Sequence, residues 1–164
     1  MATLSTTITE TITLNGLPRG STNTLNIEGV NDIYHRIVSC PDEIPLSLVT
    51  FKSTVGVVAT EQLIDVELVK YIRVTNLSPL TDGFPVVLNL LIDSGGADAA
   101  ADMSVSIEVE AGKSFIMGSP HESILVDDDA ATLNVSNAAL KDLRSIHVDP
   151  VSEAMQVEVF IASA

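Results

Sequence analysis

Cysteine is nearly absent from this chain. Cys40 stands alone among 164 residues, so no intrachain disulfide can form and the disulfide-stapled secreted class is excluded. Tryptophan is missing and aromatics are 4%, so aliphatic side chains must fill any core. Basic residues are scarce, 8 against 22 acidic, which leaves a net charge of −14. A duplex-binding surface needs Lys and Arg to displace counterions, so nucleic acid is not expected as a partner. An anionic membrane surface is disfavoured for the same reason. No apolar run reaches the ~18 residues of a membrane-spanning helix. Residues 1–13 lack a positive segment followed by an apolar one, so no signal peptide is expected and folding in a reducing cytoplasm is.

What is present is β-branched. Val, Ile and Thr together make 47 of the 164 residues, a weighting that favours strands. Thr3 to Leu14 opens the chain with period two: Ile8, Ile12 and Leu14 on one parity, Thr7, Thr9, Thr11 and Thr13 on the other. Glu10 falls on the apolar parity, so it sits at an edge or the strand bulges there. Asn15-Gly16 is a turn signal. Further strands are expected at about 23–28, 31–39, 44–51, 63–66, 66–77 and 85–92. The segment 85–92 is almost continuously apolar and is expected to be buried on both faces. Met103 to Gly118 reads as a hairpin across Glu110–Lys113, residues 138–143 as one helical turn, and 144–149 with 155–162 as a last strand pair around Pro150. The expected fold is therefore all-β: a two-sheet β-sandwich, jelly-roll-like, forming a single domain over 1–164 with an N-terminal strand or arm at about 1–14.

Residues able to carry chemistry do not form a recognisable constellation. Asp127, Asp128 and Asp129 are the densest acidic cluster and the candidate cation ligands. Consecutive strand residues point to opposite faces, however, and the spacing of a calcium loop is absent, so a solvated acidic loop is the simpler reading. The three histidines, His35, His121 and His147, are too far apart for a local zinc pattern. Ser119, His121 and Glu122 lie close in sequence without a nucleophile elbow. Cys40 could in principle meet His35, but a lone cysteine before proline reads as a small buried hydrophobe. Gly95-Gly96 lacks the lysine and helix of a phosphate loop and is expected to be a flexible loop. No cofactor, metal or catalytic residue is assigned, and the chain is not expected to be an enzyme.

Two features suggest contact with other subunits. Ser and Thr total 30 residues, many on the polar parity of strands. Such a weakly charged face can pack against a neighbour or simply be solvated. The Thr3–Leu14 strand, at a free end, can pair with an edge on another subunit or serve as an edge strand in its own. The interaction candidates are accordingly Thr3, Ile8, Ile12 and Leu14, with Gly95 and Gly96 in the loop.

The order of segments is also familiar. Thr-Ile-Thr-Leu-Asn-Gly (11–16) leads into Arg-Gly-Ser-Thr-Asn-Thr-Leu (19–25), Gly-Val-Asn-Asp-Ile (29–33) and Arg-Ile-Val (36–38). Val-Lys-Tyr-Ile-Arg-Val-Thr-Asn-Leu (69–77), Glu-Ala-Gly-Lys-Ser-Phe-Ile-Met (110–117) and a closing Val-Phe-Ile-Ala (159–162) follow. The chain resembles small virion structural proteins of tailed bacteriophages, especially those of marine phages infecting cyanobacteria and related hosts. The resemblance spans nearly the whole chain and rests on strand-and-turn signatures, with no active site to transfer. It implies a β-rich accessory subunit of the virion, assembled in the host cytoplasm. The leading expectation is a capsid decoration (cement) protein that binds the major capsid protein or another virion protein on the outside of the head, as a homo-oligomer. The alternatives are a neck, tail or fibre component that contacts the host, and a non-viral carbohydrate-binding β-sandwich. The last ranks lowest, because sugar stacking needs an aromatic platform.

Overall fold

A computed structural model describes residues 1–52, 64–92, 103–125 and 140–164. The described residues form thirteen strands and no helix. Ten strands have four or more residues: β1 (Ala2–Thr9), β4 (Thr22–Val30), β5 (Asp32–Cys40), β6 (Leu46–Lys52), β8 (Val69–Asn76), β9 (Val86–Ile92), β10 (Met103–Val109), β11 (Ser114–Met117), β12 (Leu143–Pro150) and β13 (Met155–Ser163). Three have two residues: β2 (Thr13–Leu14), β3 (Leu17–Pro18) and β7 (Ile64–Asp65).

Eight of the long strands make two sheets. One runs β10-β9-β12-β6, with β7 added in parallel at the β6 edge; the other runs β11-β8-β13-β5, antiparallel throughout. Their inner faces share one apolar core. Phe51, Leu88, Ile146 and Val148 come from the first sheet and Ile72, Val74, Val157, Val159 and Ile161 from the second. The result is a sandwich-like all-β fold. Phe51 is the one aromatic among the largest fully buried side chains, so aliphatic residues do fill the core.

Period two in the sequence marks the strands well, but several expected pairings are different. The 103–118 segment is not a hairpin: β10 pairs with β9 and β11 with β8, in opposite sheets. Glu110–Lys113 is instead a corner, held by the buried Asn76. Its Nδ2 donates to the carbonyls of Phe84 (2.9 Å) and Val109 (3.1 Å), and its own carbonyl accepts the Gly112 N–H at 3.1 Å. Likewise β12, which ends at Pro150, and β13 are not paired but lie in different sheets. The helical turn expected over 138–143 is not there at its described end. Lys141 forms a bridge with Ile124 and β12 begins at Leu143; residues 138–139 lie outside the described set. Strand β9 buries Val86, Leu88, Leu90 and Ile92, while Val87, Asn89 and Leu91 are only half covered. Continuous hydrophobicity there reflects a central strand, between β10 and β12, with one face in the core. In β8 a register shift opposite Ala162 and Ser163 turns Val69 into the core beside Ile72 and Val74, while Tyr71 faces outward under a second apolar cluster.

The first thirty residues depart most from expectation. The strand over Thr3–Leu14 stops at Thr9, resumes at Thr13 and pairs with its own chain, β1 with β4 and β2 with β3. The break falls at Glu10–Ile12, although Glu10 still meets Ser21, the next residue in the β1–β4 register.

Candidate interaction site

The β1–β4 ribbon is amphipathic because cross-strand partners share a face. On one face the hydroxyls pair: Ser5 Oγ donates to Asn26 Oδ1 (3.0 Å), and the Thr7 and Thr24 hydroxyls meet at 3.1 Å. On the other, Leu4 stands opposite Ile27, Thr6 opposite Leu25 and Ile8 opposite Asn23. Near the sandwich this apolar face is covered. Leu4 and Ile27 pack on a cluster of Val30, Tyr71 and Ala162, with Phe160 beside them. The Asn31 N–H donates to the Ser163 carbonyl at 2.9 Å and Lys70 Nζ to the Glu28 carbonyl at 2.9 Å, which fixes the base of the arm to β13 and β8. Gly29, with φ of 72°, takes up the bulge that re-aims β4 there.

Beyond the base, every residue from Thr7 to Asn26 is exposed. The tip is ordered by its own hydrogen bonds. Glu10 N–H donates to the Ser21 carbonyl at 2.7 Å, Ser21 Oγ donates to Glu10 Oε2 at 2.7 Å, and Arg19 N–H donates to the Ile12 carbonyl at 2.9 Å. Asn15 and Gly16, with φ of 52° and 76°, make the two-residue turn that joins β2 to β3. Along this tip Ile8, Ile12, Leu14, Leu17 and Leu25 are each more than half exposed. Five exposed large aliphatics grouped on one element make the arm the candidate contact surface.

Among the sequence candidates, Ile8, Ile12 and Leu14 lie on this arm. Thr3 is also exposed, but it stands opposite Glu28 on the hydroxyl face, away from Ile8. Gly95, Gly96, Asp127, Asp128 and Asp129 lie outside the described residues. Leu17 and Leu25, outside the sequence candidates, lie on the arm as well. The signal for Leu25 was its alternation with Ile27 between Asn and Thr residues of β4.

A second exposed surface is the outer face of the β11-β8-β13-β5 sheet. At its centre Glu158 accepts Arg73 NH2 at 2.7 Å through Oε2 and meets His35 Nε2 at 2.8 Å through Oε1. Arg73 lies over the Phe160 ring at 5.8 Å, and His35 is 5.7 Å from the same ring. Around this group stand Ile33, Ile37 and Ile116, which are 53%, 59% and 45% exposed. Ile33 is opposite Ala162, and Ile116 is opposite Arg73.

Other chemistry-bearing groups are dispersed. Cys40 is buried in the core, where burial pushes its thiol pKa up, while His35, five residues away along β5, faces outward. Ser119 Oγ accepts the His121 backbone N–H at 3.2 Å, and the His121 ring turns to Asp142, with Nδ1 2.9 Å from Oδ1 but without hydrogen-bond alignment. His147 sits half-buried between Asn89 and Ser47, and burial lowers its pKa. An open cleft of about 440 Å3 lies between the Leu80–Pro85 loop and the Glu110–Lys113 corner. Among the described residues no three His, Cys, Asp or Glu side chains are placed to hold a metal ion. Phe51 and Tyr71 are buried, Tyr34, Phe115 and Phe160 are partly covered, and Phe84 is 37% exposed. No known protein family, curated protein or solved structure matches this chain.

Proposed function

We propose that this chain is a structural subunit of a tailed-phage virion, a decoration protein bound to the outside of the head. The observation that carries this reading is the arm. A hairpin tied firmly to the body at Val30 and Lys70 holds five large aliphatic side chains in solvent, as a subunit needs when its purpose is to grip neighbours. The charge distribution supports it. Residues 1–30 hold Arg19 against Glu10 and Glu28, a net of −1 out of the chain's −14, so the acidity resides in the body. An acidic body turned outward keeps particles soluble and repels DNA, while a nearly neutral arm meets neighbouring subunits without a charge penalty.

The reading extends to topology. Strand pairs β5–β13, β6–β12, β8–β11 and β9–β10 are nested, outermost to innermost, and all are antiparallel. A long antiparallel hairpin rolled up on itself has this nesting, which supports a jelly roll, an architecture used in viral shells. In this account the major capsid protein is the underlying partner, the subunits act as a homo-oligomer, and the role is mechanical rather than enzymatic.

Binding of the purified chain to empty shells tests the proposal. The intact chain is expected to sediment with shells and raise their thermal stability. A chain lacking residues 1–14 is expected to lose particle binding. Full retention of the truncated chain on the shell contradicts the role given to the arm.

A further inference from the structure

We infer that the arm's occupant is a second copy of this chain, whose outer β11-β8-β13-β5 face receives the apolar side of the arm. The inference deepens the proposed role by naming the arm's partner, and rests on that reading only for where the contact forms.

Three observations converge on it. The first is continuity with packing that already exists. Each arm's base sits on the outer face of its own sheet, where Leu4 and Ile27 cover Tyr71, Ala162 and Phe160. Ile33, beside Ala162 on the adjacent strand, and Ile37 farther along the same strand continue that face and are left uncovered. The side of the arm that covers the base continues outward as Leu25 and Ile8, which its own body does not reach. The same chemistry that seats the base is therefore present twice over, unsatisfied, on both surfaces.

The second is charge. Two bodies of this acidity repel one another, so self-association must use surfaces that are locally neutral. The arm carries a net of −1 over thirty residues, and on the receiving face Arg73 is paired with Glu158. The nine residues of β4 span about 30 Å, several times the screening length of ~8 Å at physiological salt, so an arm can join two bodies whose acidic surfaces stay apart.

The third is area. The free part of an arm, about 25 Å by 10 Å, exchanged reciprocally between two copies, covers about 1,000 Å2 in total, which is where specific protein interfaces begin.

The experiment measures the solution mass of the full chain by sedimentation equilibrium over a range of protein and salt concentrations. The expected result for the unmodified chain is a multiple of 17.3 kDa that grows more stable as salt is raised, because screening relieves repulsion between bodies. L25E on the arm and, separately, I37E on the receiving face are each expected to return the mass to that of one chain. Both positions are more than half exposed, and unchanged circular dichroism and melting confirm that the variants fold. A single-chain mass for the unmodified protein overturns the inference. So does an oligomer that ignores either substitution, or one that salt dissolves. A monomer that still decorates shells removes this inference alone; an oligomer absent from particles removes the virion assignment alone.

Discussion

Lys70 Nζ donates to the Glu28 carbonyl at 2.9 Å, and this contact reaches from β8 to the base of the arm. It joins residues forty-two positions apart, on the body and on β4. Lys70→Met keeps the side chain's apolar stem and removes the donor. The expected result is faster amide exchange across Thr22–Val30 with little change in global melting, since the contact is near the surface. Unchanged exchange in β4 would show that the apolar cluster at Val30 holds the arm unaided.

Asn76 is fully buried and joins three segments through its side chain: the carbonyls of Phe84 and Val109, and the Ser78 N–H at 3.0 Å. Asn76→Ala strands these groups away from water. A loss of about 3 kcal/mol in urea unfolding is expected, because each buried unpaired polar group costs about 1–3 kcal/mol. A midpoint within error of the unmodified chain would contradict the corner described above.

His147 gives a pH signature. Burial lowers its pKa below the ordinary 6.5, so the folded chain binds its proton less well than the unfolded chain does. Above pH 6.5 both states are neutral at this position and its contribution to stability is complete. As pH falls through that value toward the lower folded pKa, the unfolded chain takes up the proton first and stability declines. Its cross-strand neighbours Asn89 and Ser47 are uncharged, which leaves no carboxylate directly opposite to reverse the sign. His147→Gln is expected to flatten the stability profile just below pH 6.5; a profile identical to that of the unmodified chain would contradict it.

Cys40 is 1% exposed, and burial raises its thiol pKa. Thiolate is the reactive form, so native protein is expected to react with a thiol reagent only at the rate of opening. Denaturant should release one rapid equivalent. Fast reaction in native buffer would mean that the β5 edge opens readily.

The strands were largely legible because half-buried strands write period two into the sequence, as at Met103–Val109. Their partners were not. Short separation suggested β10 with β11 and β12 with β13, whereas the chain crosses between sheets at both places. The crossing at Glu110–Lys113 is held by Asn76, thirty-three residues before Val109, and no local pattern reports a contact over that distance. The arm was half legible. Alternation picked out Ile8, Ile12 and Leu14, but it could not show that β4 closes the ribbon, and that pairing is what sets Thr3 on the opposite face and brings Leu25 to the apolar one.

A stoichiometric place on the virion head, as proposed, implies a definite copy number. The most direct test is the number of copies per purified particle, counted by quantitative mass spectrometry against the major capsid protein. A high, fixed ratio that stays with the heads when tails are removed is expected. A handful of copies that fractionate with tails, or none at all, would contradict it.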